Sequence, residues 1–355
     1  MCKGTLVMQL FRKSQSVIGL DIGTSIIKAV KMTKKGKSFS FDNYALEQIQ
    51  DGAVQSGEIK NPESLAQSAI NAVAKCDPAL KDVVIALPNY SILSDVFTMD
   101  LVAKKDIREA VLVEAERLSP FDLSEVEIDY EVLEKDDETK KMKVLMVAAK
   151  KDIIGAYIDC MNEAGLRTMV IDVDLFALLN IFHLNYDPDK YRSCILINIG
   201  TDTTDAAFLQ NGKFHSSRDI PVTGSNFQKQ LESSGSIPQE KIHEILNGRI
   251  DSESDIDQLT NALNIVSKDF ANAVGVAVSY FQTSDAVEKI DLILLSGGYS
   301  AIPGLFNILE LRTGTEVVVL DPFVNVEVDE SMFAGSDKVS IGKVLSVAMG
   351  LATRN

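Results

Sequence analysis

Apolar and polar residues at the start of the chain follow the pattern of a strand meander with one helix. Lys34-Lys35-Gly36-Lys37 is a polar turn between two apolar runs, which is typical of a hairpin. Asn61-Pro62 has the residue types of a helix cap and first turn, and apolar residues follow at helical spacing. The pattern predicts strands at residues 17–20, 26–32, 39–48 and 82–88, with the helix before the last strand.

The same order of elements returns in the second half of the chain. Strands are predicted at 194–200, 206–210 and 213–219, and Asn211-Gly212 has the composition of a type I′ hairpin turn. A long helix with one apolar face is predicted at 258–284, inside a mostly helical subdomain of about 226–289. The chain is therefore predicted to contain two similar lobes.

Residues 92–167 interrupt this repeat and form a small unit of their own. Its pattern predicts a strand, a helix, a strand pair and a second amphipathic helix, at 96–100, 105–118, 126–133, 142–149 and 151–164. The predicted fold class is α/β, with an inserted α+β subdomain in the first of two lobes. The chain is predicted to divide into three parts. The first lobe is residues 1–91, completed by 168–188 and 340–355; the insertion is 92–167; and the second lobe is 189–339.

Two hairpin tips carry candidate phosphate-binding chemistry. The segment Leu20-Asp21-Ile22-Gly23-Thr24-Ser25-Ile26 matches Ile197-Asn198-Ile199-Gly200-Thr201-Asp202-Thr203 position by position in residue type. Backbone N–H groups, a hydroxyl and an Asx side chain at such a tip can hold phosphate oxygens and, through water, Mg²⁺. One copy alone would be an ordinary turn, whereas two facing copies could hold one nucleotide triphosphate.

A third glycine-bearing turn supports the nucleotide hypothesis. Ser296-Gly297-Gly298 follows a buried apolar run and precedes a predicted helix start. The segment has no side-chain bulk, so a flat purine could lie against its backbone. The order and spacing of the three turns favour a nucleotide cleft between two lobes.

Composition narrows the choice of partner and compartment. The formal net charge of −16 argues against nucleic acid or an anionic membrane surface as the main partner. No apolar run approaches the roughly 20 residues of a membrane span, and no apolar signal-peptide core is present whether the chain starts at Met1 or Met8. The expected location is cytoplasmic. The cysteines and histidines are scattered, so the only metal expected is one that arrives with the nucleotide.

These motifs together resemble the superfamily of actin, the heat-shock chaperones and the sugar kinases. The matching segments are residues 21–28 and 198–205 for the phosphate motifs, 174–179 and 342–350 for the connecting helices, and Gly297-Gly298 for the adenosine motif. The resemblance implies a duplicated actin-like, ribonuclease H-like fold that binds ATP with Mg²⁺. It also implies that the two connecting helices cross between the lobes.

The insertion narrows the resemblance to the branch of the cell-division protein FtsA and the type IV pilus assembly protein PilM. Both families carry an inserted subdomain of the SHS2 type at this place. The phrases Ile18-Gly19-Leu20-Asp21-Ile22-Gly23, Ala86-Leu87-Pro88 and Ala301-Ile302-Pro303-Gly304-Leu305 are most similar to PilM. FtsA adds a linker and an amphipathic membrane helix, whereas this sequence stops after the connecting helix, which favours PilM.

The superfamily resemblance implies roles for the first phosphate motif and for the adenosine motif. Asp21 is expected to hold the water shell of Mg²⁺, with Lys28 near the phosphates as in actin. Backbone and hydroxyl groups on both hairpins are expected to bind the β- and γ-phosphates, from Gly23, Thr24, Ser25, Gly200, Thr201, Asp202 and Thr203. One wall of the adenine site is expected from Gly297, Gly298 and Ile302.

Asn198 departs from the superfamily pattern, which usually has aspartate at this position. An amide keeps hydrogen bonds but cannot act as a base. Asp202 or Asp205 could compensate, although Asp205 is equally consistent with a structural role at the start of a strand. The expectation is ATP binding with at most very slow hydrolysis, in which Asn198 and Asp205 are the candidate catalytic residues.

The resemblance to PilM also implies partners. PilM proteins are cytoplasmic, bind the N-terminal tail of the membrane protein PilN beside the inserted subdomain, and link the inner-membrane platform to the pilus motor ATPases. This chain is therefore expected to be a pilus assembly adaptor that partners recruit to the inner membrane. A filament-forming protein like FtsA and a small-molecule kinase of the same superfamily are the alternatives.

Overall fold

The computed structural model describes residues 16–354 apart from 56, 236–241, 243–252, 286, 288 and 334–336. Its strands, in chain order, are β1 (Ile18–Ile22), β2 (Ile26–Lys35), β3 (Ser38–Gln48), β4 (Val54–Gln55), β5 (Glu58–Ile59), β6 (Asp82–Leu87), β7 (Ile92–Asp100), β8 (Val126–Asp136), β9 (Lys141–Lys150), β10 (Arg167–Val173), β11 (Ser193–Ile199), β12 (Thr204–Gln210), β13 (Lys213–Asp219), β14 (Leu292–Ser296), β15 (Val317–Val319) and β16 (Val326–Val328). Its helices are α1 (Pro62–Cys76), α2 (Ile107–Leu118), α3 (Lys151–Glu163), α4 (Asp174–Asn185), α5 (Gly224–Ser234), α6 (Glu253–Asp285), α7 (Leu305–Thr313) and α8 (Lys338–Ala352).

Two large sheets share one five-strand topology, to which the first sheet adds β16, and this confirms the predicted duplication. The first sheet has the order β10-β6-β1-β2-β3-β16, and the second has the order β13-β12-β11-β14-β15. In each sheet the first strand is antiparallel to the next strand of the chain and parallel to a later one, β6 or β14. The fold is a two-lobe actin-like α/β fold.

Local sequence signals explain where several elements begin and turn. The Asn61 side chain accepts a hydrogen bond from the Ser64 N–H, and Pro62 occupies the first turn of α1, as the pattern predicted. Asn211 and Gly212 both have positive φ angles of 52° and 69°, which a type I′ turn requires. These local residues therefore favour the helix start and the hairpin turn.

The inserted subdomain is a three-stranded sheet of order β7-β9-β8 covered by α2. The described residues of its core all lie between Leu93 and Ala148. In contrast, the buried residues Tyr157, Cys160 and Met161 of α3 pack in the core of the first lobe, together with α1. The structure therefore places α3 with the first lobe, whereas the sequence assigned it to the insertion at 92–167.

A second difference concerns the boundary between the lobes. β16 lies within residues 189–339, which the sequence assigned to the second lobe, yet it pairs with β3 of the first sheet. The side chain of Phe323, just before β16, packs edge to face on Phe41 of β3 at 5.1 Å between ring centroids. The chain therefore joins the first lobe before α8 begins.

Helices α4 and α8 cross between the lobes, as the resemblance implied. A Cβ atom at Gly350 of α8 would lie 1.9 Å from the carbonyl oxygen of Ala177 in α4, so only glycine permits this approach. Gly342 instead faces Phe323 and Pro322. One hydrophobic core includes residues from both sheets and both crossing helices, and this continuous core sets the lobes around the cleft.

Candidate functional site

A cavity of about 510 Å³ lies between the tips of the β1–β2 and β11–β12 hairpins, and residues of both lobes line it. The predicted site residues that line this cleft are Asp21, Gly23, Thr24, Ser25, Lys28, Asn198, Gly200, Thr201, Asp202, Thr203, Gly297 and Gly298. The fold thus brings residues from three distant segments into one cavity.

The two hairpin tips have matching backbone geometry. The Gly23 N–H donates to the carbonyl of Ile26 at 3.2 Å, and the Gly200 N–H donates to the carbonyl of Thr203 at 2.8 Å. The tips meet where the Ser25 hydroxyl donates to Oγ1 of Thr201 at 3.3 Å. The duplicated sequence therefore forms two facing turns that are close enough to bind one polyphosphate.

Asp21 and Lys28 form an ion pair at the first tip. They are direct neighbours in the β1–β2 register, and Lys28 Nζ lies 3.0 Å from Oδ2 of Asp21. The ammonium group also lies over Gly23, where an added Cβ atom would be 3.1 Å from it. Lys28 therefore turns toward the β1–β2 hairpin tip, where its positive charge is available to an anionic ligand.

Asn198, the penultimate residue of β11, lines the cleft and belongs to a row of polar residues across the second sheet. The strand register places Asp205 of β12 opposite Asn198, and Asp219 of β13 opposite Asp205. Of these three, only Asn198 lines the cleft. The side chain of this row that faces the cavity is therefore an amide and not a carboxylate.

Asp205 is buried behind the cleft and does not line it, which differs from its assignment as a candidate catalytic residue. Burial raises the pKa of its carboxyl group to about 9, and the charges of Asp174 and Asp219 act in the same direction. A group that is protonated at neutral pH and lies outside the cavity is poorly suited to activate water.

Gly297 has a φ angle of 91°, in the region that favours glycine. A Cβ atom there would lie 2.4 Å from the carbonyl oxygen of Ile199 and 2.8 Å from Oδ1 of Asn198, whereas one at Gly298 would have open space. Gly298 therefore offers its face to a ligand. Ile302, the third residue expected beside adenine, is fully buried in the core of the second lobe and does not line the cleft.

Asp174 is a cleft residue whose role the sequence did not reveal. It is the first residue of α4 and lines the cavity with Asp21. Burial raises the pKa of Asp174 to about 7, partly opposed by hydrogen bonds from the backbone N–H groups of Leu175 and Asn89. Its carboxyl group is therefore partly ionised at neutral pH and can accept a proton in the cavity.

Three tyrosines also line the cavity and were not predicted. Tyr90, which precedes β7, and Tyr157 of α3 lie near Asp174, and Tyr299 follows Gly298 directly. Burial raises the pKa of each phenol. Only Tyr299 had a local signal, because it is adjacent to the paired glycines.

The site has the donor groups that Mg²⁺ bound with a nucleotide requires. Within the described part of the chain, no cluster of three or more His, Cys, Asp or Glu side chains could hold a metal ion by itself. Mg²⁺ usually keeps several waters and takes one or two carboxylates together with phosphate oxygens. Asp21 beside the hydroxyls of Thr24 and Ser25 fits this mode.

Comparison with known proteins shows which family this chain resembles. The model of the family described as type IV pilus assembly protein PilM matches residues 19–355. The chain belongs to the PilM family. A solved PilM-PilN type IV pilus biogenesis complex has a chain of the same fold, with a TM-score of 0.81, 24% identity, and coverage of 95% of this chain and 98% of that one.

Two further similarities place the PilM fold among its relatives. The ethanolamine utilization protein EutJ from Carboxydothermus hydrogenoformans has a TM-score of 0.58 and 16% identity, over 99% of this chain and 93% of that chain. The cell division protein FtsA of Staphylococcus epidermidis is 22% identical over 205 residues, which are 51% of this chain and 44% of FtsA. The match thus spans less than half the length of that curated relative.

The structure also tests for membrane-spanning helices and shows the environment of the cysteines. Within residues 16–354, apart from the gaps given above, no helix is long and apolar enough to cross a bilayer. Cys76, Cys160 and Cys194 are buried thiols, and burial raises the pKa of each. Cys2 and Met8 lie outside the described residues.

Proposed function

We propose that this PilM family member is an ATP-binding adaptor of a type IV pilus, or of a related secretion or DNA-uptake machine. In this proposal it is cytoplasmic, binds the N-terminal tail of a PilN-like membrane protein, and is recruited to the inner membrane through that tail. The further partners are the other platform proteins and the motor ATPases. The family match and the fold of the solved PilM-PilN complex support this adaptor role.

The observation that best supports the proposed nucleotide binding is the pair of hairpin tips that face each other across one cavity. The tips present glycine backbone, hydroxyl groups and the Lys28 ammonium to the same space. Such groups bind phosphate oxygens, and Asp21 is the proposed carboxylate beside Mg²⁺. The adenine would lie against Gly298, where the backbone has no side chain above it.

Hydrolysis is proposed to be slow, so that ATP acts mainly as a conformational ligand. Asn198 cannot take a proton, and Asp205 lies behind the cavity. Asp174 is then the group on which any residual hydrolysis depends, as the acceptor of a proton from the attacking water. ATP would favour closure only through its higher affinity for the closed form.

Calorimetric titration of the purified protein with a synthetic PilN tail peptide, with and without Mg-ATP, tests the adaptor role. The expected result is saturable one-to-one binding that is lost when the peptide sequence is scrambled. Absence of binding under both conditions would contradict the adaptor role.

The nucleotide role has its own test. Lys28→Met should weaken Mg-ATP binding at least tenfold, because it removes the cation from the phosphate loop, whereas Lys75→Met in the same lobe should not. Asp174→Asn should keep ATP affinity and abolish residual hydrolysis. Turnover at rates typical of enzymes, on the order of 10 per second, would refute the proposed role of ATP.

A further inference from the structure

The segment that enters the inserted subdomain contacts both lobes beside the cleft. After β6 of the first sheet, Asn89–Ser91 form one turn of 3₁₀ helix, and β7 of the inserted subdomain begins at the next residue, Ile92. The turn is closed on the carbonyl of Pro88 by the N–H and the hydroxyl of Ser91, at 2.9 and 2.7 Å. It is a short, well-fixed link between the first lobe and the insertion.

Asn89 connects two carboxylates that belong to different elements. Its side-chain amide donates to Oδ1 of Asp219 at the end of β13, at 3.2 Å, across to the second lobe. Its backbone N–H faces the carboxyl group of Asp174 at the start of α4 and lowers the pKa of that group. Only 7% of Asn89 is exposed, so water cannot readily replace either partner.

The same turn also borders the cavity. Pro88 and Tyr90 line it, together with Asp174. The ring of Tyr90 packs against the backbone of Gly57, where an added Cβ atom would lie 3.0 Å from the ring. Because residues of the turn line the cavity themselves, a ligand bound near Asp174 would contact the turn directly.

The bond to Asp219 crosses from the first lobe to the second lobe. Asp219 belongs to the second sheet, whereas Asn89 follows a strand of the first sheet. Separation of the lobes about α4 and α8 would lengthen the 3.2 Å bond, and closure around a ligand would restore it. A second contact lies close by, where the hydroxyls of Ser94 and Ser217 are 3.4 Å apart.

We propose that the turn Asn89–Ser91 couples closure of the nucleotide cleft to the position of the inserted subdomain, with Asn89 as the positioning residue. This inference rests on the proposed function, because it needs a nucleotide in the cleft and a peptide beside the subdomain. Bound ATP favours the closed lobes and thereby the Asn89–Asp219 bond, which fixes the first residues of β7. By reciprocity, the peptide raises the affinity for ATP by the same factor.

The test measures four dissociation constants for each full-length variant, those of Mg-ATP and of the peptide, each alone and with the other ligand saturating. Wild type is expected to show coupling of at least about fivefold. Asn89→Ala and Asn89→Asp should reduce the coupling to within about twofold of none, because they remove the donor or replace it with a charge that repels Asp219. The affinity for each ligand alone should change less than about threefold. A variant that had merely lost structure would instead bind each ligand more weakly.

Two control variants separate the turn from its surroundings. Asn71 donates to Glu47 at 3.0 Å inside the first lobe, so Asn71→Ala removes the same kind of bond without crossing between lobes and should keep the coupling. Ser94→Ala removes the neighbouring contact and should also keep it. Equal loss of coupling in Ser94→Ala would overturn the assignment to Asn89, since the coupling would then belong to the whole β7–β13 boundary.

The remaining outcomes distinguish this inference from the function on which it rests. Wild type that binds both ligands independently, or Asn89 variants that keep the coupling, would overturn the inference and leave the adaptor role intact. Wild type that binds no peptide or no nucleotide would refute the proposed function and the inference with it. If the variants do not fold, hydrogen exchange of wild type decides, because Mg-ATP should slow exchange at residues 92–100, and unchanged exchange there would overturn the coupling.

Discussion

Substitution of Gly350 by alanine tests how tightly the two lobes are joined at the helix crossing. The added Cβ atom would lie 1.9 Å from the carbonyl oxygen of Ala177, about 1.5 Å short of the 3.4 Å at which ordinary contact begins. The other nearest atoms are the carbonyl carbon and Cα of Ala177, at 2.5 and 3.0 Å. All three are backbone atoms, so α4 and α8 must separate to make room.

The magnitude follows from two opposing effects. Overpacking of a close-packed interior typically costs about 1–3 kcal/mol, and replacement of a helical glycine by alanine gains about 0.5–1 kcal/mol. Because a rigid backbone cannot yield as a side chain would, we expect the upper part of the first range. Gly350→Ala should therefore lower the free energy of unfolding by about 2 kcal/mol.

The assay is urea unfolding followed by circular dichroism, with Gly155→Ala as the matched control. Gly155 lies inside α3, and an added Cβ atom would meet nothing within 4 Å. The control should therefore gain about 0.5–1 kcal/mol, because only the helix propensity changes. A Gly350→Ala protein as stable as the control would refute the tight crossing.

Two further predictions concern buried carboxyl groups. Between its ordinary pKa of 3.8 and its folded-state pKa of about 9, folded Asp205 keeps a proton that the unfolded chain has lost, so the unfolding free energy falls as pH rises. The advantage of Asp205→Asn over wild type should thus grow from pH 5 to pH 8 in urea titrations, and a difference independent of pH would contradict the buried carboxyl. Arg354 Nε donates to the buried Asp172 at 2.6 Å, so Arg354→Met should cost about 3 kcal/mol by leaving that charge unpaired. Lys35→Met, which breaks an exposed pair with Glu327, should cost at most about 1 kcal/mol, and equal effects of the two changes would contradict the burial of Asp172.

The agreement between sequence and structure is best where the determining contacts are local. The cap of α1 uses Asn61 and Ser64, three residues apart, and the turn at Asn211-Gly212 needs only two residues that tolerate positive φ. The duplicated hairpin tips belong to the same class, because each closes on a residue three positions away. The residues that produce such signals are only a few positions apart, so they can be recognised in the sequence.

The predictions and the structure differ where the apolar pattern of a segment does not reveal which part of the fold its apolar face packs against. The amphipathic pattern of α3 predicts one buried face, but only the fold places Tyr157 in the core of the first lobe. Ile302 follows the paired glycines closely, yet its side chain points into the second lobe's core. β16 is three residues long, too short for a periodic signal.

The sequence by itself determined the duplicated plan, the inserted subdomain and the glycine-bearing turns, because periodicity and turn chemistry are properties of neighbouring residues. The tertiary structure alone decided that Asp174 faces the cleft and that Asp205 lies behind it. It alone brought Asn89 to Asp219, which is 130 positions away in the chain. The physical reason is that burial and long-range hydrogen bonds depend on which surfaces meet, and those surfaces exist only after the two lobes have packed on α4 and α8.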